Sequence, residues 1–167
     1  FYLMMYNEAL PMPARPAHEA LDEGVVRGGY LFEPAAGDGP RVNLLGSGTI
    51  LFEVMQAAET LREEGYSVAV YSITSYIELA RDAERAEQAD ADPAWLDNIF
   101  PETDVPIVAA TDYVRALPRM IASWISGPFT ALGTDGFGMS ERRSVLRTHF
   151  KVDAASIADA ARKLTAR

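Results

Sequence analysis

A strand that runs straight into a glycine turn and then a helix narrows the fold of this chain more than any other feature. Val42 to Leu45 is a short apolar run, Gly46-Ser47-Gly48-Thr49 follows it, and Leu51, Val54, Met55, Ala58 and Leu61 then recur at the spacing of one helical face. Gly65 stands where a helix stop belongs. The unit then begins again. Ser67 to Thr74 is rich in β-branched and aromatic residues, and Ser75-Tyr76-Ile77-Glu78 has the form of a capping box ahead of a helix that is expected to bury Ile77, Leu79, Ala80 and Ala83. Strands alternating with helices at this spacing predict a three-layer α/β/α sandwich around a largely parallel sheet.

The remaining segments fit around that core. Asp22 to Gly28 reads as a short helical turn and Gly29 to Glu33 as a strand, with Gly37-Asp38-Gly39-Pro40 as a hairpin-like connection into Arg41 to Leu45. Val105 to Ala110 is the next strand. Thr111 or Asp112 is then expected to cap a helix with Val114, Leu117, Ile121, Trp124 and Ile125 on one face, bent or shortened by Pro118. Phe129 to Leu132 drops into Gly133, Gly136 and Gly138, and Ser140 leads a capped, charged helix. Asp153 should cap the last helix, with Ile157, Ala160, Ala161 and Leu164 inward and Arg162, Lys163 and Arg167 at its negative end. Glu84 to Asp92 is acidic and alanine-rich, and Pro93 ends it. Phe1 to Tyr6 is an apolar extended run, so the natural beginning of the chain is expected to lie upstream.

Composition removes several classes of function. The 167 residues suit one domain, and the absence of cysteine excludes disulfides, thiolate zinc sites and cysteine nucleophiles. A formal net charge of −9 with scattered basic residues argues against a nucleic-acid partner. No apolar run approaches the ~18 to 20 residues that span a bilayer, and nothing reads as a secretory leader, so a cytoplasmic location without membrane contact is expected.

The motifs that carry chemistry elsewhere are incomplete here. Gly46-Ser47-Gly48 at a helix start can hold an anion, but Leu51 stands in place of the third glycine of a dinucleotide fingerprint and no Walker lysine follows. Gly37-Asp38-Gly39 has the form of the Mg²⁺ motif of thiamine-diphosphate enzymes. The window where the partner asparagine belongs, roughly Glu63 to Tyr71, holds none, so turn chemistry is expected there. His18 lies in a proline-flanked loop, His149 is expected to be structural beside Phe150, and Ser47, Ser75 and Ser140 read as turn or cap residues. Ser75, Glu78 and Asp82 are explained by capping and solvation. No catalytic, cofactor-binding or metal-binding residue is therefore assigned. Two turns remain as candidates for an anion or an interface: Gly46, Ser47 and Gly48, and Gly133, Thr134, Asp135 and Gly136.

Four stretches carry a family resemblance. They are Asn7-Glu8 with Met12-Pro13-Ala14, Glu23-Gly24-Val25-Val26-Arg27-Gly28-Gly29-Tyr30, Ala109-Ala110-Thr111-Asp112-Tyr113, and Gly133-Thr134-Asp135-Gly136-Phe137-Gly138 with Ser140, Arg143, Leu146, His149, Phe150, Val152 and Asp153. Together the chain resembles the C-terminal domain of homodimeric, thiamine-diphosphate-dependent pyruvate dehydrogenase components and, more distantly, of transketolases. The resemblance implies a five-stranded mixed, mostly parallel sheet of the transketolase C-terminal type. Residues 1–14 would end a preceding domain or linker, and 15–167 would be the domain. It implies a parent enzyme that decarboxylates a 2-oxo acid on thiamine diphosphate and Mg²⁺ and passes the acyl group to lipoyl on a dihydrolipoyl acyltransferase core. In such a parent the cofactor lies between N-terminal and central domains that are absent here. This chain would then support the homodimer and bind no cofactor of its own. A transketolase-type parent and a stand-alone ligand-binding module are the alternatives. Ala94 to Pro101 departs from the family pattern, in what reads as a connecting region.

Overall fold

Side chains alternate across a strand, so a strand covered on both faces must be apolar at every position. That condition is met, apart from the buried Asn43 and Ser67, at the centre of the computed structural model, which describes residues 9–17, 19–89 and 93–166. The apolar run Phe1 to Tyr6, Asn7, Glu8 and His18 lie outside them. In β2 (Arg41–Gly46), Val42 and Leu44 enter one core and Leu45 enters the other. In β3 (Ser67–Ile73), Val68 and Val70 join the first core while Ala69, Tyr71 and Ile73 join the second. In β4 (Ile107–Ala110) the same split separates Val108 and Ala110 from Ile107 and Ala109.

The sheet has five strands in the order β1-β3-β2-β4-β5, with β1 spanning Gly29–Glu33 and β5 spanning Phe129–Leu132. β2 pairs parallel with β3 and β4, and β4 with β5, while β1 alone runs antiparallel, against β3. The expected hairpin between β1 and β2 is therefore not formed, because β3 is inserted between them. The Gly37-Gly39 connection passes the amino end of β3 instead: Gly37 has φ +87°, and a side chain at Gly39 would meet the Gly65 carbonyl oxygen at 1.7 Å. The turn reading of that segment stands, on close backbone approach.

Helices α2 (Ile50–Glu63) and α7 (Ala154–Thr165) cover one face. Helices α3 (Tyr76–Ala89) and α4 (Trp95–Ile99) cover the other. The inward face of α3 is Tyr76, Leu79, Ala80 and Ala83, which is one helical stripe, so Ile77 points outward and is exposed. The Ala94 to Pro101 connection turns out to contribute Trp95, Leu96 and Ile99 to the core. A short helix, α1 (Leu21–Arg27), leads into β1.

The helix expected over residues 111–125 is broken into α5 (Ala116–Arg119) and a 3₁₀ turn at Ala122–Trp124. Pro118 has no N–H to offer the Val114 carbonyl, which accepts from Leu117 instead at 3.0 Å, and Val114 is left exposed. At the other end of the chain α6 (Arg143–Phe150) begins after Arg142, not at Ser140, and no side chain caps it. Asp153 does cap α7, accepting from the Ser156 amide at 3.0 Å. One carboxylate clamps both helices to α2: Glu53 accepts from Arg147 at 3.0 Å and from the Ala154 amide at 2.9 Å. No helix among the described residues is long and apolar enough to cross a membrane.

Leu44 is wholly buried on the central strand. Leu44→Ala is expected to cost about 2 to 5 kcal/mol, read as a lower urea midpoint with an unchanged slope.

Candidate functional site

Chain direction and strand order together create a crevice where β2 and β4 end, because the connection from β2 leaves to one side and the connection from β3 returns on the other. Such switch points are where open α/β sheets receive ligands. Here the crevice is floored by a tie between the two loops: the Ser47 hydroxyl donates to Thr111 Oγ1 at 2.7 Å, and both residues are buried. Thr111 Oγ1 also accepts from the Tyr113 amide at 3.2 Å, so its hydroxyl shapes this loop in place of the helix cap expected of it. An open cleft of about 690 Å³ rises from the tie, walled by Gly48, Ile73, Tyr76, Asp112 and Leu117. The Tyr76 hydroxyl is buried and has no hydrogen-bond partner among the described residues, and its burial pushes the phenol pKa up, keeping it neutral.

The first candidate turn is built for packing. A side chain at Gly46 would stand 2.7 Å from Leu51 Cα, and Gly48 takes φ +55°. The opening amides of α2 already have acceptors, with Ile50 donating to Ser47, Leu51 to Gly48 and Phe52 to Thr49 at 3.2 to 3.3 Å.

The second candidate turn has a fixed base and a free tip. The Thr134 amide donates to the Tyr113 carbonyl at 2.8 Å, and Asp135 receives both the Arg115 amide at 2.9 Å and Arg115 Nε at 2.6 Å. Gly133 is buried so closely that a side chain there would meet the Tyr113 oxygen at 2.6 Å, and Gly136 has φ +86°. Beyond this base Phe137 and Met139 are exposed. A smaller cleft of about 290 Å³ separates the loop from α6 and is lined by Ile50, Asp112, Met139, Leu146 and Phe150.

Other residues singled out from sequence sit apart. His149 is exposed on the last turn of α6, its ring edge-on to Phe150 at 4.9 Å. Ser75 accepts from the Glu78 amide at 3.2 Å, but the reciprocal half of the capping box is replaced: the Ser75 amide donates to Gly28, and Glu78 accepts from Arg81. Asp82 is not a solvated residue. It accepts from the Trp95 amide at 2.6 Å and from Arg27 at 3.0 Å, and that guanidinium lies over the Trp95 ring at 4.9 Å. Burial alone would raise the Asp82 pKa, but the Trp95 amide and Arg27 outweigh it and hold the carboxyl below its ordinary range. Sequence carried no signal for this cluster, because its members are 55 and 13 positions apart. Among the described residues no group of three or more histidines and carboxylates could hold a metal ion.

The profile of the transketolase-like TK C-terminal domain family matches residues 28–153. The chain belongs to the transketolase-like C-terminal domain family. The match takes in β1, the crevice, the glycine loop and the Asp153 cap. A solved transketolase from Leishmania mexicana shares the fold of this transketolase-like domain, with a TM-score of 0.61 at 24% identity over 87% of this chain and 19% of that one. Among curated proteins, the pyruvate dehydrogenase E1 component of Corynebacterium glutamicum is 39% identical over 166 residues, 94% of this chain and 18% of that protein. The E1 component of Escherichia coli K12 is also 39% identical, over 96% of this chain and 19% of its own length. The transketolase-like domain thus spans about a fifth of the length of these relatives.

Two outcomes test the site. Thr111→Val removes the acceptor of both Ser47 and Tyr113 and should cost about 2 to 3 kcal/mol in denaturant unfolding, whereas Ser47→Ala should cost about 1. The paired Arg115 amide and side chain lower the Asp135 pKa from its ordinary 3.8, so the loop base is fully held above that value and is released as the pH falls through the depressed pKa. A ¹³C titration of the Asp135 carboxyl should give a midpoint below 3.8 that rises in Arg115→Ala but stays below the ordinary value, because that variant keeps the backbone amide.

Proposed function

We propose that this chain is the C-terminal domain of a cytoplasmic pyruvate dehydrogenase E1-type enzyme and does not catalyse on its own. The observation that carries the reading is the identity of 39% with two E1 components along nearly the whole chain. In this reading residues 1–14 are the end of a linker and 15–167 are the domain. Thiamine diphosphate and Mg²⁺ belong to the N-terminal and central domains of the parent, and no described residue of this chain is asked to hold them. The acyl group made there from a 2-oxo acid passes to lipoyl on an acyltransferase core. This domain supports the homodimer that assembles the cofactor site.

The geometry supports a supporting role in two ways. At the crevice floor the Ser47 hydroxyl is engaged by Thr111. The glycines serve close packing and turn shape at Gly39, Gly46 and Gly133.

The full-length gene product should reduce ferricyanide in the presence of pyruvate only with thiamine diphosphate and Mg²⁺. The 167-residue chain should show no turnover and no heat of binding with thiamine diphosphate in calorimetry. Turnover by the short chain would overturn the reading, as would a full-length protein that moves two-carbon units between sugar phosphates and leaves pyruvate untouched.

A further inference from the structure

A second concavity lies beside the sheet and shares no residue with the switch-point crevice. Its volume of about 720 Å³ falls within the range of small-molecule sites, and it is walled by α1, β1, the start of β2, β3, and α4 with the residues that follow it. Leu31, Ala35, Ile99 and Pro101 form its apolar side. Set into it is Tyr71, only 7% exposed, whose ring stands edge-on to Phe100 at 4.8 Å and whose hydroxyl has no hydrogen-bond partner among the described residues. A polar group buried that deeply calls for a partner, and the cleft is where one can arrive. Burial pushes the phenol pKa up to about 12, so the hydroxyl stays a proton donor at neutral pH.

Charges of both signs stand beside it. Arg41 and Glu102 pair at 2.8 Å, and the fields of both reach the Tyr71 phenol. Their side chains are 44% and 49% exposed, and a pair so open to water is held weakly enough for another pair of charges to replace it. The other arginine of the cleft, Arg27, is already shared between Glu23 and Asp82. With each guanidinium matched by a carboxylate, the cleft has no surplus of positive charge for a phosphate. It offers a cation, an anion and a neutral donor at the edge of an apolar wall.

We propose that this cleft binds a free α-amino acid with a large apolar side chain, its carboxylate on Arg41 and the Tyr71 hydroxyl, its ammonium on Glu102, and its side chain against Leu31, Ala35 and Ile99. A zwitterion brings no net charge to a chain of net charge −9. It replaces one ion pair by two charge-assisted contacts and gives Tyr71 the acceptor it lacks. A simple carboxylate would leave Glu102 without a cation, and a simple amine would leave Arg41 without an anion. The inference is independent of the E1 reading.

Titration calorimetry of the full-length gene product tests it without reference to pyruvate. L-Phenylalanine and L-leucine should bind with a Kd below about 1 mM. Phenylalaninamide, which lacks the carboxylate, and 3-phenylpropanoate, which lacks the ammonium, should bind at least about ten-fold more weakly than phenylalanine. Arg41→Gln and Tyr71→Phe should each weaken L-phenylalanine at least about five-fold and leave the melting temperature in place, since Arg41 is half-exposed and the Tyr71 hydroxyl has no bond to lose. Failure of both amino acids to bind overturns the proposal. So does equal binding of either analogue, and so does binding that either variant leaves intact, because the amino acid then sits elsewhere. An E1-active protein that ignores both amino acids refutes this site alone. A protein that binds them here and is inactive toward pyruvate refutes the E1 assignment alone.

Discussion

β2 is flanked by strands on both edges and by helices on both faces, so its backbone groups have no water to turn to and must pair with β3 and β4. That one constraint sets the rest. A strand in that position has to be apolar on both sides, which Val42, Leu44 and Leu45 satisfy, and it has to leave the sheet by a tight turn beneath a helix. Gly46 is required because Leu51 of that helix comes within 2.7 Å of where a side chain would begin. Once α2 is placed, α6 and α7 are fixed to it through the two oxygens of Glu53.

The same constraint explains why the switch-point crevice is a joint as much as a cleft. Ser47 and Thr111 sit where the backbones of β2 and β4 diverge, and a buried hydroxyl without a partner there would be costly. Each answers the other, and the bond ties the loop after β2 to the loop after β4. The loop after β4 in turn supports the loop after β5, through Tyr113 to Thr134 and Arg115 to Asp135. Three successive connections are thus chained along one rim, and the glycine loop at the end takes its shape from the central strand.

What sequence made legible follows from the range of the interactions. Periods of two and of 3.6 and the turn residues are local, so the five strands, the face of α2 and the Asp153 cap could be read directly. The hairpin between β1 and β2 was misread because pairing is non-local: nothing in Gly37 to Pro40 says that β3 will come between. Ile77 was placed inside because a capping box fixes where a helix begins but not its rotation, which the contacts of Tyr76 and Leu79 decide. Pro118 is expected to bend or shorten the helix after Thr111, and its missing N–H goes further and divides the segment into α5 and a 3₁₀ turn. Asp82 was invisible as a hub because Arg27, Trp95 and Gly29 reach it or its neighbours only through the fold, with Trp95 Nε1 donating to Gly29 at 2.8 Å.

The glycine-rich stretch after β5 shows why a conspicuous motif need not be a reactive one. Glycines gather where backbone must pass close to backbone, and a phosphate is only one of the things that can come close. At Gly133 the neighbours are the Tyr113 carbonyl and Arg115. At Gly136 the backbone is turned by a positive φ with open space around it. The turn is tight at its base, where Arg115 holds Asp135, and open at its tip, where Phe137 is exposed.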